Sequence, residues 1–231
     1  MTGLKDYLKL TEQMTKDMFM SANVIDQLVF LLKEDEYRRK LSDKERKDLF
    51  VRLDRHKWEL KQTMFALHDL ARFSSLGKLE CKDKILINQL CCELAQEQDV
   101  DVQFTTDIPD YYKITTNEEV LTKVLDTLLN HATRRTIGLT TGTVPSVRFS
   151  LSERTEPGKL TFSITDTAGP TSREDDLALF TPPTEQTSDH NNDYTMVKVY
   201  NCRLMVRLLG GFIYVDPDYH EGRRIVFNIK I

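Results

Sequence analysis

Between Leu4 and Leu76 the chain contains neither glycine nor proline. Without those punctuators no tight turn interrupts the backbone, so the first third of the sequence is committed to helix. Met14, Met18, Ala22, Ile25, Leu28 and Leu32 recur every three or four positions and draw one apolar stripe. Leu49, Leu53, His56, Leu60, Met64, Leu67 and Leu70/Ala71 draw a second. Between them Ser42-Asp43-Lys44-Glu45 is a capping box. The serine can accept from the N–H three residues on, and the glutamate can reach back. Two long helices, each apolar along one stripe, cannot bury that surface alone, and a second copy completing a four-helix bundle is the economical solution. The expected dimer face is Met14, Met18, Ile25, Leu28 and Leu32 with Leu53, Leu60, Met64 and Leu67. Gly77 is the expected stop.

After Gly77 the pattern becomes mixed. The sequence predicts a helix over 85–95, strands over 100–106 and 111–115, and a helix from the capping box Thr116-Asn117-Glu118-Glu119 to about Arg135. A Gly/Thr-rich turn over 138–144 precedes alternating strands over 146–153 and 159–166, joined at Glu156-Pro157-Gly158. The polar stretch 167–193 reads as a lid or connecting loop. A helix ending at Gly210-Gly211 then feeds the last strands, 212–215 and 224–231. The expected class is α+β: a helical hairpin over 1–78, then a two-layer α/β sandwich over 79–231.

Composition excludes several functions. A net charge of −4 offers no electrostatic case for nucleic acid or an anionic membrane surface. Cys81, Cys91, Cys92 and Cys202 have no metal-ligand spacing, and since three lie in apolar surroundings they read as buried free thiols of a reducing, cytoplasmic setting. No apolar run reaches the roughly 18 residues that would span a bilayer. Whether the segment once belonged to a longer membrane sensor is left open.

In order and spacing these segments resemble the catalytic core of two-component sensor histidine kinases, over almost the whole chain. Residues 67–80 (LHDLARFSSLGKLE) resemble the end of that family's second dimerisation helix, and 120–136 (VLTKVLDTLLNHATRRT) its Asn-containing helix. Residues 160–170 resemble the strand and Asp-x-Gly-x-Gly turn beneath the adenine. Leu179-Phe180-Thr181-Pro182-Pro183 resembles the Phe-containing lid, and 196–215 the second Gly-rich motif with its helix and strand.

The resemblance implies a dimeric core that binds ATP and Mg²⁺, phosphorylates its own histidine and docks a response-regulator receiver domain. The residues at the matching positions argue against the chemistry. The phospho-accepting histidine and its neighbouring acid fall on Ile25 and Asp26, and no histidine precedes His56. An aliphatic side chain cannot be phosphorylated. The magnesium-ligating asparagine falls on His131, a nitrogen ligand poorly suited to a hard cation. Thr127 keeps a hydroxyl, Arg134 sits at a phosphate-contacting position, and Asn130 lies about 100° round the helix. Asp166 keeps the adenine-binding carboxylate, but the two glycines of its turn are Ala168 and Pro170. Met196 and Lys198 replace glycines that would let main chain approach phosphate.

The expectation is therefore a degenerate histidine kinase with ATP and Mg²⁺ binding weak or absent and no other cofactor. It would act through protein contacts with itself, a related kinase or a receiver domain. Phe180 belongs with Thr127, His131, Arg134, Asp166, Ala168, Pro170, Met196 and Lys198 as the remnant of a nucleotide site. The alternatives are a divergent working kinase or ATPase, and a phosphotransfer hub, each using His56 or His68. The plain reading of both histidines is a packed or half-exposed helix residue, with Asp69 beside His68 expected to point elsewhere on the helix.

Overall fold

The structure is a computed structural model describing residues 2–34, 37, 40–76, 78–137, 146–153, 158–181 and 193–231. Its contacts divide the chain into two compact units, one built on Met1–Ala71 and one on Arg72–Thr181 with Lys198–Ile231.

The first unit holds α1 (Thr2–Lys33) and most of α2 (Asp43–Ser75). The capping box forms: the Ser42 N–H donates to Glu45 Oε2 at 2.8 Å, and the Glu45 N–H to Ser42 Oγ at 3.3 Å. Met14 and Leu28 are already 3% and 4% exposed in the single chain, so they do not form an open face. The exposed large apolar residues are Phe19, Met20 and Phe30 on α1, and Phe50, Val51, Trp58, Met64 and Phe65 on α2. Ile25, Met18, Leu32, Leu53, Leu60 and Leu67 are half-buried, and Asp26 is exposed. Val51, Trp58 and Phe65 are spaced seven apart, the period of a coiled-coil seam.

The second unit opens with the last turn of α2. There Arg72 donates twice to Glu119, at 2.6 and 3.1 Å, and Phe73 is buried beneath Lys123. The sequence-based division after residue 78 lies a few residues beyond this grouping. Next come β1 (Asp83–Leu86), α3 (Ile87–Gln96), β2 (Val102–Thr106) and β3 (Lys113–Thr116). Then follow α4 (Glu118–Thr136), β4 (Val147–Ser152), β5 (Lys159–Asp166), α5 (Arg173–Ala178), α6 (Asp193–Leu208), β6 (Ile213–Val215) and β7 (Arg223–Lys230). β1 and β3 form a small antiparallel pair, and the main sheet runs β2-β4-β5-β7-β6 with only β2 and β4 parallel.

Alternation places Val147, Phe149 and Leu151, Leu160, Phe162 and Ile164, and Ile225, Phe227 and Ile229 on one wholly buried face. α3 and α4 cover it. Phe162 and Phe227, opposite one another in register, stack at 4.6 Å. The other face carries half-buried Ser150, Thr161, Ser163 and Val226. This is the two-layer sandwich expected.

Five local expectations are corrected, the first being thiol burial: Cys91 and Cys202 are buried, but Cys81 and Cys92 are exposed. Residues 83–86 form a strand leading directly into α3, whose N-cap Leu86 makes no side-chain bond and leaves no capping signal. The N-cap of α4 is Asn117 rather than Thr116, with Oδ1 accepting from the Val120 N–H at 3.0 Å. The stretch after Asp166 contains α5, capped by Ser172 Oγ accepting from the Asp175 N–H at 3.0 Å. His68 Nδ1 lies 3.7 Å from Asp69 Oδ1, although adjacent helix positions ordinarily diverge. Gly77, the turn over 138–144, Glu156-Pro157 and the lid residues Pro182-Pro183 lie outside the described residues, as does the Met196 side chain.

The Gly-Gly stop of α6 is a Schellman motif. The Gly210 N–H donates to Arg207 O and the Gly211 N–H to Val206 O, both at 3.0 Å, with Gly210 at φ +78°. A Cβ on Gly211 would stand 1.7 Å from Asn228 O, so the chain leaves the helix flush against β7.

Candidate nucleotide site and its occupants

His131 and Arg135 sit one helical turn apart on α4 and share a face, while Arg134 is exposed. That face meets the C-terminal end of β5, where Asp166 is 2% exposed. Across the β5–β7 ladder the register partner of Asp166 is Arg223. A Cβ on Gly222 would lie 2.0 Å from Asp166 O, so main chain passes hard against the carboxylate's residue.

The Asp166 carboxylate is already engaged. Oδ2 accepts from Arg135 Nε at 2.9 Å, and Oδ1 from the N–H groups of Ala168 at 3.1 Å and Arg223 at 3.4 Å. The Ala168 contact is an Asx turn, helped by Gly169 at φ +99°. Arg135 Nη2 also reaches Gly169 O at 3.4 Å. Pro170 is exposed and Ala168 half-buried.

Arg223 forms the second half of the cluster. Its Nε donates at 2.8 Å to Asp176 Oδ1, which also accepts from Thr171 Oγ1 at 2.7 Å. Its Nη1 lies 3.1 Å from His131 Nε2. A guanidinium can only donate, so Nε2 accepts and the ring is the neutral Nδ1–H tautomer. Burial, then the charges of Arg223, Arg135 and Arg134, push the His131 imidazole down to about 3. Burial and Arg135 lower Arg223, opposed by Asp176. Two guanidiniums, two carboxylates and a neutral imidazole leave the cluster balanced.

Around the turn of α4 the Asn130 amide donates to Asp126, to its O at 2.9 Å and its Oδ1 at 2.7 Å. Burial raises the Asp126 carboxyl, opposed by the Lys198 ammonium and by Asn130. Thr127 is half-buried, as is Lys198. Residues 193–208 are one helix, so the N–H of Lys198 lies within the helical ladder rather than at a free helix start. Phe180 is buried, and its carbonyl accepts from Arg203 Nη1 at 2.9 Å.

His131, Arg134, Asp166 and Ala168 thus lie at or around one cluster, and Lys198 faces Asp126. Arg135, Arg223, Asp176 and Thr171 were missed by sequence reasoning. For Arg135 a signal existed, since it lies four residues after His131 on the same face. Arg223 and Asp176 reach the site through long-range pairing that carries no local signature. Of the two α2 histidines, His56 has Nδ1 3.1 Å from Glu59 Oε2, in a geometry that leaves the nitrogen without an aligned hydrogen bond. The His68 side chain is 70% exposed. Among the described residues no three His, Cys, Asp or Glu side chains gather as a metal-holding group. None of the described helices is long and apolar enough to cross a membrane.

No protein-family model and no curated protein matches the sequence. Solved structures do. Histidine kinase ThkA in complex with response regulator protein TrrA is similar over 99% of this chain and 63% of its own, at 17% identity and TM-score 0.72. Full-length ShkA in complex with AMPPNP is similar over 96% of this chain and 45% of its own, at 15% identity and TM-score 0.61. Acinetobacter baumannii histidine kinase AdeS is similar over 95% of this chain and 96% of its own, at 14% identity and TM-score 0.60. The fold of this chain is that of a histidine-kinase core, a helical-hairpin region followed by an ATPase-type α/β sandwich.

Proposed function

We propose that this chain is a degenerate histidine kinase, a dimeric protein-interaction or regulatory module of two-component signalling that neither binds ATP well nor phosphorylates itself. The observation that carries the reading is the Arg135–Asp166 pair. The carboxylate that would accept from an adenine amino group already accepts from a guanidinium and two main-chain donors. Displacing Arg135 would strand a charge on a carboxylate 2% exposed, which costs more than an adenine contact returns.

Mg²⁺ and a triphosphate do not suit the remaining residues. His131 offers a ring nitrogen whose free lone pair is taken by Arg223, and the N–H of Lys198 is used within α6. Ile25, at the phospho-acceptor position on α1, supplies no nucleophile.

The apolar residues Val51, Trp58 and Phe65, seven apart and exposed, support pairing with a second copy. A related kinase presenting the same seam is the other outcome. A receiver domain as further partner is supported by the fold shared with ThkA, whose structure holds a response regulator.

Incubation with labelled ATP and Mg²⁺ tests the reading: no acid-labile phosphate is expected, and its incorporation refutes it. Micromolar nucleotide affinity would add about 4 kcal/mol at millimolar ligand and raise the melting temperature by several degrees. No rise is expected. A second reading, phosphotransfer through α2, is favoured by one observation, the exposed His68 ring beside Asp69. Phosphate acquired from a phosphorylated receiver domain and lost on His68→Ala would establish it.

A further inference from the structure

A groove of about 1210 Å³ lies within the second unit, walled by α5, the C-terminal half of α6, the edge strand β6 and the loop before β7. None of its lining comes from α4, and neither Arg135 nor Asp166 lines it, although it borders the cluster and shares Thr171 and Asp176 with its Arg223 half.

β6 ends the sheet, and hydrogen-bond alternation fixes which groups it leaves open. Phe212 O accepts from the Asn228 N–H at 3.0 Å, and the Asp216 N–H donates to Arg224 O at 2.8 Å. Residues 212, 214 and 216 therefore turn their main chain toward β7, and Ile213 and Val215 turn theirs outward. The N–H and C=O groups of Ile213 and Val215, both lining residues of the groove, thus lie along the sheet edge in register for an added strand.

The walls define what kind of strand. Arg173, Arg203 and Arg207 line the groove, with His220 at its rim. Arg203 spends one arm on a neutral carbonyl, Phe180 O, and keeps its charge. Of the two lining carboxylates Asp176 is paired with Arg223, which leaves exposed Asp218 against three arginines. Phe212 and Tyr214, exposed and stacked at 5.8 Å, offer apolar surface beside the open edge. An extended segment of alternating acidic and apolar residues matches all three features: its main chain pairs with β6, its carboxylates meet the arginines, and its apolar side chains lie on the aromatic pair.

We propose that this groove binds an acidic, extended peptide segment of a protein partner by strand addition to β6.

The test uses the full chain and a fluorescein-labelled eight-residue peptide of alternating Glu and Val, read by fluorescence anisotropy. Saturable binding is expected, at least tenfold tighter than for the Lys/Val counterpart. Methylating alternate peptide nitrogens on the edge-facing side should weaken it at least tenfold, because those groups donate to the outward carbonyls of β6. Arg173→Glu with Arg207→Glu, both exposed and away from the core, should weaken it at least tenfold while leaving the melting temperature unchanged. No binding by the wild-type chain, indifference to N-methylation, or equal affinity in the double variant each overturns the proposal. So does a single-stranded oligonucleotide that binds where the peptide does not, since the arginines would then serve a polyanion rather than a strand.

Discussion

Acid should destabilise this protein through His131 more than through any ordinary histidine. The imidazole is 9% exposed, accepts from Arg223 and is held at about 3 rather than near the 6.5 of an unfolded chain. Between those values the unfolded state binds the proton and the folded state does not, so stability rises with pH across the window. It is fully present above about pH 6.5, is lost as pH falls, and levels off near pH 3. At pH 4.5, two units below the unfolded value, the linkage amounts to about 3 kcal/mol. His131→Gln keeps an acceptor for Arg223 and removes the titration. Urea unfolding followed by circular dichroism, for both proteins at pH 7 and pH 4.5, isolates the effect as a difference of differences. Carboxylate titrations common to both cancel, and any fixed cost of the substitution cancels too. The wild type should lose about 3 kcal/mol more than the variant. Parallel pH profiles would refute a buried neutral imidazole, and a steeper variant would reverse the sign of the argument.

Arg135→Ala should cost about 2–4 kcal/mol in denaturant unfolding, because it leaves the Asp166 carboxylate with main-chain donors alone; a cost below about 0.5 kcal/mol would show the pair to be incidental. Gly211→Ala should cost about 3 kcal/mol or more, since its Cβ would stand 1.7 Å from Asn228 O and backbone must move; a melting temperature equal to wild type would refute that close approach. Val51→Glu with Phe65→Glu should convert a light-scattering dimer into a folded monomer, and a wild-type monomer at high micromolar concentration would remove the case for pairing.

The regular elements were legible where one rule governed them. The Gly/Pro-free stripes gave α1 and α2, and β5 was bounded at 159–166 because strict alternation meets a turn at both ends. Errors arose where two signals competed or none existed. Thr116 and Asn117 are both capping residues, and only geometry decides that Asn117 reaches Val120. α5 buries no residue, so it has no apolar period to read, although Ser172 and Asp175 held a capping signature. On the hairpin the sequence identifies apolar stripes but cannot say which positions one chain buries by itself. Met14 and Leu28 are covered in the single chain, while Phe19, Phe50 and Trp58 are not. The candidate site was legible in outline, through Asp166 and His131. Its occupants were not, because Arg223 arrives by the register of a strand 57 residues away and Asp176 by a helix hidden in a polar stretch.

Glycine placement separates what the fold requires from what a nucleotide would require. Gly211 and Gly222 sit where a Cβ would collide with main chain, at 1.7 and 2.0 Å, and Gly210 holds the positive φ that ends α6. Those glycines serve the sandwich itself. By the family resemblance Ala168 and Pro170 match the turn beneath the adenine and Met196 and Lys198 the glycines beside phosphate, and no described non-glycine residue has positive φ. The backbone is therefore not forced into a loop conformation that side chains resist; residues 193–198 simply continue as helix. The architecture of a histidine-kinase core thus folds without backbone strain with other residues at those positions, because they and the fold's own glycines answer to different constraints. Arg135 and Arg223, paired with Asp166 and Asp176, satisfy the carboxylates from within the sandwich.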